Sequence, residues 1–478
     1  MQKINNPVLI HHIMLRRKAY DELMRWKENA DKPLLVYGQR QVGKTFIIEQ
    51  FAKNNFKNYI YANLNEDGRF RSIFEQSDRT VDNIILSIST VRGIEHIDDE
   101  DTLIFLDEIQ DCPEALSSLK SFKKDGRYRV IASGSMLGLT ENLVTRKKKN
   151  GVVPEPISPM GDAKVMQMTS LDFEEFLWAN GIPQKAIDKV RDFIKDQKEI
   201  DKPLFEQFSN LFRIFQITGG MPASVQEFVN DKSTFARSSD ELEDIVSQIG
   251  RDITKYNTPG NAIRTMECFR SIPYQLAGTN KKFQYSRISP NTISPKNTRK
   301  AADTYMENLL WIKHAGYGNF CYGLTEIASP VKNNIKTDVF KIYLSDTGIL
   351  THMYGDMAVK ATFSADTSYN MGSIVENAVA ESLMKCGLTP TYYVNNKGQA
   401  RMEIDFVVEL FTGLVAIEVK SGKDRNGPSI NKVTEHFKID RRVMLEDSNI
   451  YIDDKGIEHY PLFVSAFFDS LDNKPGYL

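Results

Sequence analysis

Cysteine is scarce: the 478 residues hold four, Cys112, Cys268, Cys321 and Cys386. They stand far apart with no metal-ligand spacing, which argues against a disulfide framework and against a thiolate zinc site. The seven histidines do not gather around them. Long apolar runs are lacking as well. No stretch reaches the roughly 18 residues that span a bilayer, so no membrane partner is expected. The first twenty residues, MQKINNPVLIHHIMLRRKAY, contain no continuous apolar core and no cleavage site. A secretory leader is therefore not expected, and the expected location is cytoplasmic. Net charge is nearly absent, at −2. Any contact with nucleic acid must then rest on a local basic patch and not on a global field. Repeats and low-complexity tracts are missing too. What remains is an ordinary globular composition, 41% hydrophobic and 26% charged, long enough for three or four domains.

Against that background one stretch stands out. Residues 38 to 45 read GQRQVGKT: Gly38, Gln39, Arg40, Gln41, Val42, Gly43, Lys44, Thr45. The spacing is that of a phosphate-binding P-loop. LLVY (Leu34 to Tyr37) precedes it as a buried strand, and FIIEQFA (Phe46 to Ala52) continues as a helix. Backbone N–H groups at the helix start point at anionic oxygens, and the helix dipole favours them. Lys44 is expected to reach the β- and γ-phosphates of ATP, and Thr45 to ligate Mg²⁺. Phe46 completes the expected cofactor-binding segment.

An ATPase needs a second acidic element. TLIFLDEIQ (Thr102 to Gln110) reads as a buried strand ending in Asp107 and Glu108. Asp107 is expected to hold Mg²⁺ through water, and Glu108 to polarise the attacking water. NYIYANL (Asn58 to Leu64) and YRVIASGS (Tyr128 to Ser135) read as further strands, with a helix at Glu114 to Lys124 between the last two. Alternating strands and helices predict a parallel sheet with its ligand at the carboxyl ends of the strands. Ser133 or Ser135 is then placed to sense the γ-phosphate. From about residue 171, LDFEEFLWANG begins a helical region with an expected N-cap at Ser170, interrupted by a turn at TGGMP (Thr218 to Pro222).

GQRQVGKT, LIFLDEIQ, ASGSMLG, LDFEEFLWANG, GGMP and YLSDTGIL together resemble a group of bacterial and archaeal AAA-type ATPases. That resemblance implies a RecA-like core, a helical lid, a winged helix and a C-terminal domain of unknown function similar to restriction-type nucleases. Relatives often form rings with an arginine supplied by the next subunit, so a homo-oligomer is an expectation without an assigned arginine. One departure stands out. Where the group carries a basic residue after Pro-Val-Gly, this chain reads Pro159, Met160, Gly161, Asp162. Arg146 to Lys149 (RKKK) has no matching position and reads as a solvated loop.

The C-terminal half carries a second constellation. EIDFVVEL (Glu403 to Leu410) and LVAIEVKSGK (Leu414 to Lys423) read as strands joined at Gly413. If Leu410 pairs with Leu414, Asp405 faces Val419; a one-residue change sets it opposite Glu418. Glu418 and Lys420 share a face in either register. The pattern resembles the acidic-x(n)-ExK signature of PD-(D/E)xK nucleases. It implies metal ligation by Asp405, Glu418 and Glu376, the last on a helix at Ser373 to Met384, with Lys420 activating water. A fold that keeps these residues without cutting is the alternative. Between the halves, Lys281, Lys282, Arg287, Lys296, Arg299 and Lys300 make a basic stretch without acids. A helix near Lys296 to His314 reads as the recognition helix of a winged helix that contacts DNA.

The expected fold class is thus α/β: a RecA-like P-loop AAA core with helical lid, winged helix, and C-terminal α/β restriction-nuclease-like domain. The expected divisions are 1–31 (N-terminal helical segment), 32–170 (core), 171–258 (lid), 259–335 (winged helix) and 336–478 (nuclease-like). The expected activity is Mg-ATP hydrolysis coupled to a domain acting on DNA. The alternative is an ATP-gated switch or assembly platform whose C-terminal domain binds without cleaving.

Overall fold

The computed structural model describes residues 14–29, 31–98, 101–135, 161–278, 281–288, 298–366, 368–396, 401–422 and 428–472. Arg146 to Lys149, Pro159, Met160 and Lys296 lie outside the described residues, as do the side chains of Arg299 and Lys300.

The N-terminal third alternates helix and strand. Its elements are α1 (Lys18–Glu28), β1 (Leu34–Gly38), α2 (Lys44–Asn55), β2 (Asn58–Asn63), α3 (Gly68–Glu75), α4 (Val81–Arg92), β3 (Thr102–Asp107), α5 (Pro113–Asp125), β4 (Arg129–Ser135) and β5 (Lys164–Gln167). The strands form one parallel sheet in the order β2-β3-β4-β1-β5. Successive side chains of a strand point to opposite faces, and here both faces are buried. Leu34, Val36, Leu103, Phe105 and Ile131 enter the main core, while Leu35, Ile104, Leu106, Val130 and Ala132 pack under α3, α4 and α5. That double burial is why the strands read as continuous apolar runs.

Helices follow: α6 (Phe173–Ala179), α7 (Gln184–Lys195), α8 (Lys202–Thr218), α9 (Pro222–Asn230), α10 (Ala236–Lys255), α11 (Pro259–Ala277) and α12 (Thr298–Ala315). The start of α6 corrects one expectation. Its N-cap is Asp172, locked in a capping box with Glu175, and not Ser170. Ser170 instead accepts a hydrogen bond from Lys385 at 2.9 Å. In α7, Ile187, Val190 and Ile194 recur at helical spacing and are buried. These helices share one continuous core with one face of the first sheet and with strands of the C-terminal sheet, and Phe173 packs against Phe212, Phe215 and Phe467.

The remainder comprises β6 (Gly318–Leu324), β7 (Ile335–Leu344), α13 (Thr347–Tyr354), α14 (Asp356–Ser364), α15 (Gly372–Lys385), β8 (Thr391–Asn395), β9 (Met402–Leu410), β10 (Gly413–Val419), α16 (Pro428–His436), β11 (Arg441–Glu446), β12 (Tyr451–Ile452) and β13 (Glu458–Pro461). All eight strands join one mixed sheet, in the order β12-β13-β11-β10-β9-β8-β6-β7. The division drawn at 335/336 therefore cuts both the β6–β7 hairpin and this sheet. The reason is backbone pairing. β6 adds in parallel to β8, with Tyr322 opposite Thr391 and Gly323 opposite Tyr392, so the hairpin that ends the helical region is also the edge of the C-terminal sheet.

Candidate nucleotide site and the acidic hairpin

β1 delivers the phosphate loop to the carboxyl end of its sheet. A Cβ at Gly38 would stand 2.0 Å from the Met168 carbonyl oxygen, so only glycine fits where β1 meets β5. Gln41 (φ 63°) and Gly43 (φ 87°) take left-handed conformations that fold the loop back before α2 begins at Lys44. Val42 is fully buried, which leaves its backbone for the loop's inner face, while Phe46 stands 54% exposed on α2. The Lys44 ammonium bends over the loop and donates to the carbonyls of Gly38 and Gln39 at 3.0 and 2.8 Å. Burial, with Arg40 nearby, lowers its pKa to about 8 against the opposing pull of Glu108 and Asp107.

β3 brings the acidic pair beside this loop. Asp107 is buried, and its Oδ2 accepts from Thr45 Oγ1 at 2.9 Å and from the Tyr61 hydroxyl at 3.1 Å. Its Oδ1 accepts from Ser133 and, at 3.0 Å, from the Glu108 N–H. Of the two candidate serines, Ser133 touches Asp107; the Ser135 N–H donates to Gln110 at 3.1 Å. Glu108 sits at φ 53°, a strained conformation at the strand tip, and its carboxylate accepts from Gln110. Asp162 lies elsewhere. It pairs with Lys123 at 3.2 Å, next to the end where Lys164 stands opposite Leu34, the far end of the strands from the loop.

Three distant segments grip the loop, and sequence reasoning placed none of them. Arg17 donates to the Val42 carbonyl at 2.9 Å and to the Thr169 carbonyl at 2.7 Å, anchored by Glu175. Arg40, expected to face phosphate, instead pairs with Asp252 of α10 at 2.9 Å and with the Tyr256 hydroxyl. The Tyr317 hydroxyl donates to the other Asp252 oxygen at 2.7 Å. Gln39 accepts from Ser345 at 3.3 Å, and its buried Nε2 has no partner among the described residues. Next to Ser345, Asp346 accepts from the Gly220 N–H at 2.8 Å, which joins YLSDTGIL to the TGGMP turn. Lys385 donates to Ser170, Leu171 and Glu381 at 2.9, 2.8 and 2.6 Å. The signal available was weak: single charged or polar residues whose decisive partners lie far away in the chain.

In the second constellation the register is resolved. Phe406 stands opposite Ile417, and one step further places Asp405 opposite Glu418. Asp405 accepts from the Val419 N–H at 2.9 Å. Glu418 is buried with one oxygen on Lys420 at 3.0 Å and the other without a partner among the described residues. Burial and the neighbouring Asp405 push Glu418 up to about 7 against Lys420. Burial likewise raises Asp405, with Glu376 adding to it.

Glu376 departs from the expected ligand role. Its carboxylate accepts from Lys341 at 3.0 Å, from Lys281 and from the Tyr343 hydroxyl. Burial opposes ionisation, but the two ammonium groups win and hold the carboxyl down at about 2. A metal would compete with two lysines already neutralising that charge. Among the described residues no group of three His, Cys, Asp or Glu side chains is arranged to hold a metal ion. The three-carboxylate set Glu376, Asp405 and Glu418 therefore does not fit a metal in this conformation. Lys281 is likewise corrected: it faces inward to Glu376 and is not a surface contact for DNA.

A glycine-turned loop between strand and helix, a lysine over it, and a Thr–Asp link to a neighbouring strand define an ATPase domain of the P-loop class. Residues 30–177 match the family model of an AAA domain. Residues 209–360 and 371–462 match two domains of unknown function, DUF8612 and DUF4143. No curated protein matches the chain. Among solved structures, the Walker-type ATPase PABY2304 of Pyrococcus abyssi is 14% identical with a TM-score of 0.40, over 71% of this chain and 96% of that one. A STAND protein with a tetratricopeptide repeat sensor from Pyrococcus horikoshii is 14% identical with a TM-score of 0.26, over 78% and 46%. The Pif1 helicase of Candida albicans is 13% identical with a TM-score of 0.23, over 41% and 47%. Likenesses this loose carry nothing further. No described helix is long and apolar enough to cross a membrane.

Proposed function

We propose that the chain hydrolyses Mg-ATP and uses the cycle to switch its C-terminal half. The observation that carries this reading is the 2.9 Å link from Thr45 to Asp107, which joins the phosphate loop to the acidic strand tip. The residues fit the ion: Thr45 and Asp107 would hold Mg²⁺, which when bound would neutralise phosphate charge. The loop's N–H groups seat the phosphates. Lys44 exchanges its two carbonyl partners for phosphate oxygens, and Glu108 orients the attacking water. The fixed charges around the loop are provided by other segments, so a change at the phosphates is felt by Arg40 and Gln39, and through them by α10 and the Ser345–Asp346 turn.

For the C-terminal half, the neutralised Glu376 favours a nuclease-like fold that binds without cutting in this conformation over one already armed for cleavage. The decisive experiment is ATP binding and turnover by wild type, Lys44→Ala and Glu108→Gln. Binding should vanish in the first, and turnover but not binding in the second. Unchanged ATP affinity in Lys44→Ala would refute the nucleotide site. DNA incubated with Mg²⁺ or Mn²⁺ checks the other half. Cleavage by wild type that is lost in Lys420→Ala would restore the cutting enzyme.

A further inference from the structure

A cavity of about 340 Å³ opens where α8 meets the C-terminal sheet. Its walls come from α8, the link between α14 and α15, the segment after β13, and the ends of β10 and β11. Those two strands run parallel, so both present their carboxyl ends to it. The volume is that of a small-molecule site. Spacing explains how one helix contributes so much of the lining. Phe212, Arg213 and Gln216 of α8 follow at intervals of one and three residues and share a face. Met371, Val375, Leu462 and Phe463 complete an apolar wall with Phe212.

Two features set the chemistry of this cavity. The first is Gln216, which is 1% exposed and whose side-chain oxygen has no partner among the described residues. A buried acceptor left unpaired is a cost that a donating ligand removes. The second is the set of charges. Among the described residues the lining holds three acids, Asp366, Glu446 and Asp447, and one base, Arg213. Asp366 accepts from the Ser368 hydroxyl and N–H at 2.7 and 2.9 Å, which, with Lys360 adding to it, holds its carboxyl below the usual range. Burial opposes ionisation of Glu446, but hydrogen bonds from His459 and Ser448 hold it low as well. Glu446 is thus turned to those partners, while Asp366 and Asp447 stand exposed at the mouth. Arg213 donates to Asn210 and lies 4.0 Å from Asp447. Such a lining repels phosphate. An ammonium carries three donors and no acceptor, the complement of a wall in which acceptors prevail.

We infer that this cavity binds an organic ammonium ion. Its apolar body lies against Phe212, Val375 and Phe463, an N–H donates to the Gln216 side-chain oxygen, and Asp366 and Asp447 supply the counter-charge. Such a group is carried by small free amines and by the lysine side chain of a partner protein. Ser421 and Gly422 line the cavity and directly follow Lys420, so the occupant rests against the strand end that carries that lysine. The inference does not depend on ATP hydrolysis, since no lining residue belongs to the phosphate loop.

The test is calorimetric titration of the full chain in an amine-free buffer. The probes are 2-phenylethylammonium with its uncharged counterpart 2-phenylethanol, and Nα-acetyl-lysine methylamide with its norleucine counterpart. A charged probe should saturate one site, and its uncharged counterpart should bind at least about tenfold more weakly. Gln216→Met keeps the length of the side chain and should weaken the charged probe roughly tenfold, the loss of one charge-assisted hydrogen bond. The double variant Asp366→Asn, Asp447→Asn should weaken it severalfold and flatten its salt dependence. Both of those positions are exposed, so that variant reports on charge and not on folding. Tighter binding of 2-phenylethylammonium identifies a free amine as the ligand; tighter binding of the lysine derivative identifies a partner's side chain. No saturable binding of either charged probe overturns the inference. Equal affinity for charged and uncharged probes, or an affinity unchanged in both Gln216→Met and the double variant, overturns it as well.

Discussion

Arg40, in the middle of the phosphate loop, donates to Asp252 at 2.9 Å across 212 positions of chain. Asp252 is 1% exposed and also accepts from Tyr317 at 2.7 Å and Gln248 at 3.0 Å. This loop residue is therefore tied to α10 and, through Tyr317, to the turn before β6. A nucleotide that draws Arg40 toward its phosphates would have to break this tie, and breaking it would release α10.

The two halves of that pair should fail unequally. Arg40→Ala leaves a carboxylate buried without its cation and should cost about 3 kcal/mol, the price of breaking a buried pair. Asp252→Asn removes the buried charge itself and leaves Arg40, which is partly exposed, to water, so its cost should be nearer 1 kcal/mol. Urea unfolding of both variants measures the difference. The reverse ranking would mean the pair is held by something other than charge.

Gly220 should tolerate no side chain. A Cβ there would lie 2.0 Å from the Leu171 carbonyl oxygen, a backbone atom that cannot rotate away. Gly220→Ala should therefore cost at least about 3 kcal/mol by overpacking. Gly93 makes the control: its φ is 64° but a Cβ there meets nothing within 4 Å. Gly93→Ala should cost only the left-handed penalty, about 1 kcal/mol. Thermal unfolding of the pair decides, and comparable losses would refute the close approach at Leu171.

Glu418 should make the fold weaker as pH rises. Its folded pKa, about 7, lies above the usual 4.5 because of burial and Asp405. Between those values the folded chain binds more protons than the unfolded one. The stabilisation is whole below pH 4.5 and is lost as pH climbs through 7. Glu418→Gln removes this dependence, so it should be more stable than wild type at pH 8, by at most about 3 kcal/mol. The gap should close toward pH 5. A constant difference between the two proteins across that range would contradict the assignment.

Lys281 should exclude metal from the acidic hairpin. It and Lys341 neutralise Glu376, so only Asp405 and Glu418 remain, and both are raised in pKa. Lys281→Met returns negative charge to the cluster without opening a large cavity. Mn²⁺ binding followed by calorimetry should appear or tighten severalfold in the variant. If it is as weak as in wild type, Lys341 alone is enough to close the site.

Much of the nucleotide site was legible because its chemistry is local. GQRQVGKT needs only a strand before it and a helix after it, and a buried strand ending in Asp107 and Glu108 declares itself by four apolar residues followed by two acids. The register of the acidic hairpin was open by one residue, because the local pattern does not say whether Gly413 belongs to the turn or, as observed, pairs with Leu410 as the first residue of β10. Ser170 passed for a helix cap since the composition of its neighbours suits one, yet the reciprocal bonds of Asp172 and Glu175 form a better cap. Lys281 read as part of a basic surface because counting charges along a chain does not reveal a carboxylate almost a hundred residues away.

The amino-acid sequence by itself determined the parallel α/β core, the phosphate loop and the acidic strand tip, because each is set by the periodicity and steric needs of neighbouring residues. Tertiary structure alone decided what those elements answer to. It tied Arg40 to Asp252, joined the β6–β7 hairpin to the C-terminal sheet and placed two lysines on Glu376. Burial makes an unpaired charge or an unpaired strand edge too costly to leave, and which distant partner relieves it depends on packing that no local pattern encodes.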